Sequence, residues 1–415
     1  MAPLPVDLRV AWFSHSSGLG GAELGLLEAA RALRRVRVDV SVVLPAEGPL
    51  RDRLVEAGIS AIVAPYPWWM ADQSVSRRIR RQHLAQLLRP SHLARLAAVM
   101  RDVRPDVVVT NTSTIVSGAM AAAFGRTPHV WYVREFGRDD YSLRFDVPER
   151  LAWRIIASSA AIAVNSEALR GFLAGRGVME KVRVLPYAVD APRFPEPRRP
   201  GRPFRLASLG AIRPSKGHED AVAAVAVLVD SGRDVVLRIS GSDWQGHEDR
   251  LRRLALQLGV ANHVEFAGFS SNPLGLIEAA DVVLVCSRSE AFGRATIEAL
   301  KSGRPVVGTS SGATPELIEP GLTGLLYPPG DTEALADRVA ELYDDEALYS
   351  AIAARAKVVA DERFDFDRYV EALRDLLASV AERRRSTGAI RDGLDRVQTA
   401  DPAAVLRARA RSTGG

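Results

Sequence analysis

Two carboxylates, Glu290 and Glu298, stand eight positions apart in the stretch Asp281 to Pro315, DVVLVCSRSEAFGRATIEALKSGRPVVGTSSGATP. The first follows a continuous apolar run, Val282 to Cys286, of the kind that forms a strand buried on both faces of a parallel sheet. Open α/β sheets bind their ligands outside the carboxyl ends of strands, and Glu290 stands at such an end. The second lies in a segment that reads as a helix, Arg294 to Ser302, closed by Gly303. Glu298 falls between Ile297 and Ala299 on a face expected to be half-buried, where a charge needs a partner. Ribose hydroxyls are suitable donors. In isolation, two glutamates read as a solvated helix residue and a helix-start acid. The surrounding pattern S-x-S-E-A-F-G-x-x-x-x-E-A-x-x-x-G-x-P-V-V argues against that bland reading.

The pattern resembles the Glu-x7-Glu signature of the retaining glycosyltransferases of family GT4, which have the GT-B fold. The resemblance implies that Glu290 contacts the donor sugar and Glu298 the ribose of the nucleotide. Phe292, Gly293 and Arg294 belong to the same donor-binding turn. Upstream, the loop Gly210-Ala-Ile-Arg-Pro-Ser-Lys-Gly217 resembles the family's phosphate loop. Arg213 and Lys216 would offset the charge of a diphosphate and stabilise it as it leaves. Lys216-Gly217 matches the family well. Ala211 stands where relatives usually carry Arg, and Arg213 follows two positions later.

The N-terminal half carries a second set of candidates. Leu8 to Ser14, a helix from Ala22 to Leu33 and Val38 to Leu44 read as a βαβ unit. Between strand and helix lies Ser16-Ser17-Gly18-Leu19-Gly20-Gly21, whose amides suit an anion. A dinucleotide fingerprint does not fit, since Glu23 stands where the third Gly belongs and Asp39 begins the second strand. Gly20 to Glu23 resembles instead the family's loop beside the acceptor and donor phosphates, which brings in Gly18, Gly20 and Gly21. After the strand His129 to Val133 come Arg134 and Glu135. Many relatives have His followed by an acid here, at the sugar. Glu135 matches the acid. Arg134 replaces the His and grips phosphate or carboxylate in two-pronged fashion, or pairs with Glu135 or Asp139 on the surface.

The 415 residues are 47% hydrophobic and 25% charged, enough for two cores. Strands alternate with helices throughout and are interrupted once by a Pro- and Arg-rich linker. The fold class is therefore α/β, with two Rossmann-like domains facing across a cleft. The resemblance adds a late helix crossing back to the N-terminal domain. The division reads 1–190 as an acceptor-side domain, 191–203 as linker, 204–382 as the nucleotide-sugar domain and 383–415 as a basic, disordered tail. A net charge of +5 suits phosphate ligands or anionic lipid and does not call for nucleic acid. The single Cys286 allows no disulfide within the chain, which fits a reducing cytoplasm. No signal peptide or spanning segment is read. Asp365-x-Asp367 reads as a helix cap rather than a metal motif, and Glu316 as a helix-start acid without chemistry.

The expected reaction is transfer of a sugar from a nucleoside diphosphate donor with retention, with no cofactor and no metal. The expected acceptor is lipid-linked, an envelope glycan or a small molecule. Rival readings are a UDP-sugar epimerase and a non-catalytic nucleotide-sugar-binding protein. Trp68 and Trp69 beside Arg77, Arg78, Arg80 and Arg81 read either as a docking patch for an anionic membrane at its inner face or as a packed loop before a solvated helix.

Overall fold

A computed structural model of the chain describes residues 8–185, 188–190, 200–270 and 272–398, with side chains as far as 383. Pro186, Tyr187, most of the expected linker and residues 399–415 of the expected tail lie outside the described residues.

Two parallel sheets organise the molecule. The strands of the first half are β1 (Leu8–Phe13), β2 (Val38–Leu44), β3 (Ser60–Val63), β4 (Met70–Asp72), β5 (Val107–Asn111), β6 (His129–Val133), β7 (Leu143–Phe145), β8 (Ala161–Val164) and β9 (Val182–Val184). Seven of them form a sheet in the order β3-β2-β1-β5-β6-β8-β9. The remaining two, β4 and β7, make a small antiparallel pair that the sequence pattern did not announce. The second half supplies β10 (Phe204–Leu209), β11 (Val235–Ser240), β12 (Val264–Phe266), β13 (Val282–Val285), β14 (Val306–Thr309) and β15 (Gly324–Tyr327), in the order β12-β11-β10-β13-β14-β15. Both sheets reverse direction of growth beside their first strand, β1 or β10, and loops leaving the strands there face the cleft. Central strands such as β5, β6 and β13 are buried along their whole length. That is why β13 reads as an unbroken apolar run, and why β5 and β6 are mostly apolar without alternating.

The late helix is longer than its sequence pattern indicates. It runs Phe366–Gln398, well beyond Glu382, where the pattern fades. Asp365 caps it, accepting the Arg368 amide at 2.9 Å. The helix packs against the helix Gly21–Arg35 of the first half. Its Tyr369, Leu373 and Leu377 join one apolar core with Val10 and Leu26 of the first half and Ile297 and Val306 of the second. The two halves are thus joined by apolar packing.

The tryptophans of the expected docking patch face inward. Trp69 is buried, stacks on Trp131 with ring centroids 5.8 Å apart and gives its indole N–H to the Ser113 carbonyl at 2.6 Å. Trp68 is half-buried and bonds the His15 carbonyl at 2.8 Å. A buried indole whose N–H is satisfied gains nothing from a headgroup layer. Of the two readings of this stretch, the packed aromatic loop is the one found, and the exposed placement of these rings is corrected.

Leu373, on the crossing helix, is 1% exposed. Leu373→Ala should cost about 2–5 kcal/mol in chemical denaturation, as deleting a buried leucine does in other cores. A loss below about 1 kcal/mol would show that this helix does not join the two halves.

Candidate active site

The cleft between the sheets encloses about 570 Å³. It is lined by Gly20, Gly21 and Arg134 from the first half and by Gly210, Lys216, Glu290, Phe292, Gly293, Arg294 and Glu298 from the second.

At its centre Lys216 Nζ donates to Glu290 Oε2 at 2.7 Å. The Ser287 hydroxyl adds a second bond to the same oxygen at 2.8 Å. Burial opposes the charge on both partners. The mutual attraction outweighs it, so the Lys216 pKa is raised and the Glu290 carboxyl is held below the usual range. Both stay charged near neutrality. Two glycines allow this approach. Gly217 has φ +62°, and a Cβ there would run into the Cys286 carbonyl. Gly312 has φ +59°, and a Cβ there would run into the backbone of Glu290. Only a residue without Cβ fits either place. Buried His218 braces the Lys216 loop, with Nδ1 2.9 Å from the Ser208 hydroxyl and Nε2 3.3 Å from the Ala211 carbonyl. Burial pushes this imidazole down to about 4, so it is neutral and acts by hydrogen bonding.

Glu298 is buried, at 3% exposure, and already has a partner in the chain. Arg294, one helical turn earlier, donates Nε to it at 2.7 Å. The same guanidinium grips Glu28 of the first half at 2.6 and 3.0 Å. Burial and Glu28 nonetheless raise the Glu298 pKa against the pull of Arg294. A ribose would share Glu298 with this arginine. Gly21 lies opposite, and a Cβ there would stand 4.0 Å from Arg294 Cδ, so the glycine loop and the donor turn meet.

Three expected residues stand apart from the cleft wall. Arg213 is buried and stacked on Tyr141 and Trp244, its Cζ 4.5 and 5.0 Å from the ring centroids. Glu135 is buried behind the wall and accepts the Ser113 amide and hydroxyl. Burial raises its pKa, and the Ser113 bonds oppose that. Gly18 faces back to the Ser16 hydroxyl, bonded at 3.1 Å. Arg134 does line the cleft, and it is buried rather than on the outer surface. It is held flat on Tyr132 at 3.8 Å, with Nε bonded to Asn111 at 2.8 Å.

The sequence reading missed Asp140, which also lines the cleft. It lies in a four-residue helix, Arg138–Tyr141, after Gly137 at φ +72°. Burial pushes its carboxyl up to about 7, with Glu135 and Glu290 adding to the shift and the Phe136 amide and Lys216 opposing it. No periodic signal marks so short a helix. The reading also missed the role of Glu316. Its carboxylate takes the Glu167 and Ala168 amides of the other half at 2.8 and 2.6 Å, capping a helix across the cleft. Ser166 Oγ to the Ala291 carbonyl (2.6 Å) and Ser215 Oγ to the Asp140 carbonyl (2.7 Å) complete the ring of cross-cleft bonds. Among the described residues, no group of three or more His, Cys, Asp or Glu side chains is arranged to hold a metal ion.

Residues 191–359 match the family profile of glycosyl transferases group 1, and residues 19–193 match that of glycosyltransferase family 4. The chain is 27% identical over 397 residues to the glycogen synthase of Mycobacterium tuberculosis, spanning 88% of this chain and 92% of that one. It is 26% identical over 348 residues to LpsE of Rhizobium meliloti, a lipopolysaccharide core biosynthesis glycosyltransferase, spanning 80% and 94%. The crystal structure of HepE from Anabaena in complex with UDP-glucose superposes with a TM-score of 0.74 at 24% identity, covering 90% of this chain and 100% of that one.

A group with a raised folded pKa binds its proton more tightly in the native state, so it contributes stability at low pH that is lost as pH rises. Between about pH 4 and 7, Asp140 should therefore erode stability by up to about 1.4 kcal/mol per pH unit. Asp140→Asn should gain on the native chain across that window in denaturation curves. Parallel pH profiles for the two proteins would refute the assignment.

Proposed function

We propose that this chain, which belongs to the group 1 glycosyltransferases and moves a sugar from a nucleoside diphosphate to an acceptor, does so with retention and without a metal ion. The observation that carries the reading is the Lys216–Glu290 pair, fixed on the cleft wall next to the Glu298–Arg294 pair. In the proposed reaction the diphosphate lies by Lys216 and the start of the helix Arg294–Lys301, which follows Gly293 and favours an anion there. Glu298 receives the ribose and Glu290 the transferred sugar. The leaving phosphate takes the acceptor proton on the face where the acceptor attacks, so configuration is retained. Lys216 neutralises the charge that grows on the leaving group, a task that a divalent ion performs in other transferases. Arg213, packed between two rings, and Glu135, tied to Ser113, serve as supports for the loops that touch substrate. Arg134 is the fixed cation of the acceptor side.

The acceptor is proposed to be lipid-linked and reached from the inner face of the membrane. With the tryptophans buried, the support for docking is the arginine face. Residues 73–100 contain six arginines and no Asp or Glu. Arg77, Arg78 and Arg81 are exposed on the helix Arg77–Leu87 together with Ile79, whereas Arg80 turns inward to Asp146 at 3.0 Å. No described helix is long and apolar enough to cross a membrane, so any attachment through these helices is peripheral.

Three measurements test these readings. A panel of UDP-, GDP-, ADP- and dTDP-sugars should contain one that binds and is consumed, with the product keeping the donor's anomeric configuration and with full rate in EDTA. Loss of transfer in EDTA that Mn²⁺ restores would refute the metal-free reading. Lys216→Ala should lower turnover by roughly 10²–10³ while changing donor affinity far less, as for one lost transition-state donor. Anionic vesicles should sediment the protein, and salt or Arg77, Arg78 and Arg81 changed to Ser should release it, at about 1 kcal/mol per arginine. A protein left in the supernatant has another route to its acceptor.

A further inference from the structure

The first-half wall of the cleft carries a carboxyl for which the proposed chemistry has no use. Asp140 is 7% exposed, and its two oxygens do different things. Oδ2 accepts the Phe136 amide at 2.8 Å and shapes the turn. Oδ1 is buried and has no hydrogen-bond partner. Its backbone carbonyl takes the Ser215 hydroxyl at 2.7 Å, which fixes the residue against the loop that bears Lys216. A buried acceptor left unsatisfied costs about 1–3 kcal/mol, and Asp140 lines the cleft, so a ligand entering there is the partner at hand.

The surroundings restrict what that is. Glu135 stands behind Asp140 on its own wall, with Tyr141 beside it and Glu290 and Lys216 across the cleft. A phosphate here would meet three carboxyl groups. The Lys216 ammonium is engaged by Glu290. A hydroxyl suits the site in either protonation state of Asp140, since it donates to a carboxylate and accepts from a carboxylic acid. Glu290 lies on the other wall, which puts that hydroxyl on the sugar the cleft is proposed to hold, between the two acids.

We propose that Asp140 is a specificity-determining residue of the donor site, its Oδ1 holding a hydroxyl of the transferred sugar from the wall opposite Glu290. This rests on the nucleotide-sugar reading above. It predicts that Asp140 contributes to the binding of the sugar and not to that of the nucleotide.

The test compares calorimetric Kd values for a nucleoside diphosphate and for its glucosyl derivative, starting with UDP and UDP-glucose and extending to the GDP, ADP and dTDP pairs. Asp140→Ala deletes the contact. Asp140→Asn keeps an oxygen for the Phe136 amide and guards against a misfolded turn. In both variants the nucleotide alone should bind as in the native chain, while the nucleotide sugar weakens about tenfold or more in the Ala variant and less in the Asn variant. Unchanged Kd values for both ligands in both variants would overturn the proposal and assign Asp140 to the acceptor side. Parallel loss of nucleotide and nucleotide-sugar binding would reduce Asp140 to a turn residue. A native chain that binds none of the panel would overturn the nucleotide-sugar reading itself, and this inference with it.

Discussion

The ion pair between Lys216 and Glu290 is the interaction around which the cleft is arranged. Both side chains are largely shielded from water, which opposes either charge taken alone. Paired, both remain charged, and the cleft presents a fixed cation and a fixed anion 2.7 Å apart before any ligand arrives. The surrounding backbone is bent to permit this. Gly217 brings the lysine loop against the end of β13, Gly312 brings the next loop against Glu290, and a neutral His218 ties the lysine loop to β10. Preorganised charge of this kind acts on a developing negative charge without the reorganisation that water would require.

The two halves are joined in two chemically different ways. One join is apolar, through Tyr369, Leu373 and Leu377 of the crossing helix. The other, across the cleft, is polar: Arg294 to Glu28, Glu316 to the amides of Glu167 and Ala168, Ser166 to Ala291, and Ser215 to Asp140. Apolar packing loses its stabilisation if separated in water, whereas each polar contact can be exchanged for water at small net cost. Arg294 sits where these contacts meet the donor turn, because the guanidinium that closes onto Glu28 also occupies Glu298.

Much of this was legible in the sequence, and what was not has a common cause. β5, β6 and β13 announce themselves because strands covered on both faces are predominantly apolar instead of alternating. Glu290 and Glu298 stand out because a strand end and a buried helix face are places where acids need a reason. The missing pieces are pairings across the chain. Glu298 was expected to wait for a ribose, and the partner it has is Arg294, an ordinary-looking i,i+4 neighbour. Arg213 and Lys216 look alike in a loop, yet one faces Glu290 and the other lies between Tyr141 and Trp244. Trp68 and Trp69 look exposed beside so many arginines. Their indoles are bonded to carbonyls of His15 and Ser113, residues far away in sequence. Asp140 lies in a single helical turn too short to carry a period.

The exchange of imidazole for guanidinium at Arg134 bears on how the first-half wall works. An imidazole there would gain or lose its charge near neutrality, while a guanidinium keeps it at any physiological pH. Arg134 is moreover clamped flat against Tyr132 and bonded to Asn111, so its position is as fixed as its charge. The wall has not lost its titrating group, because Asp140, at about 7, stands on the same wall a few residues later. A permanent cation and a titrating acid thus divide between them what one imidazole would combine. In the proposed reading Arg134 supplies the fixed charge of the acceptor side, and Asp140 on the same wall recognises a hydroxyl.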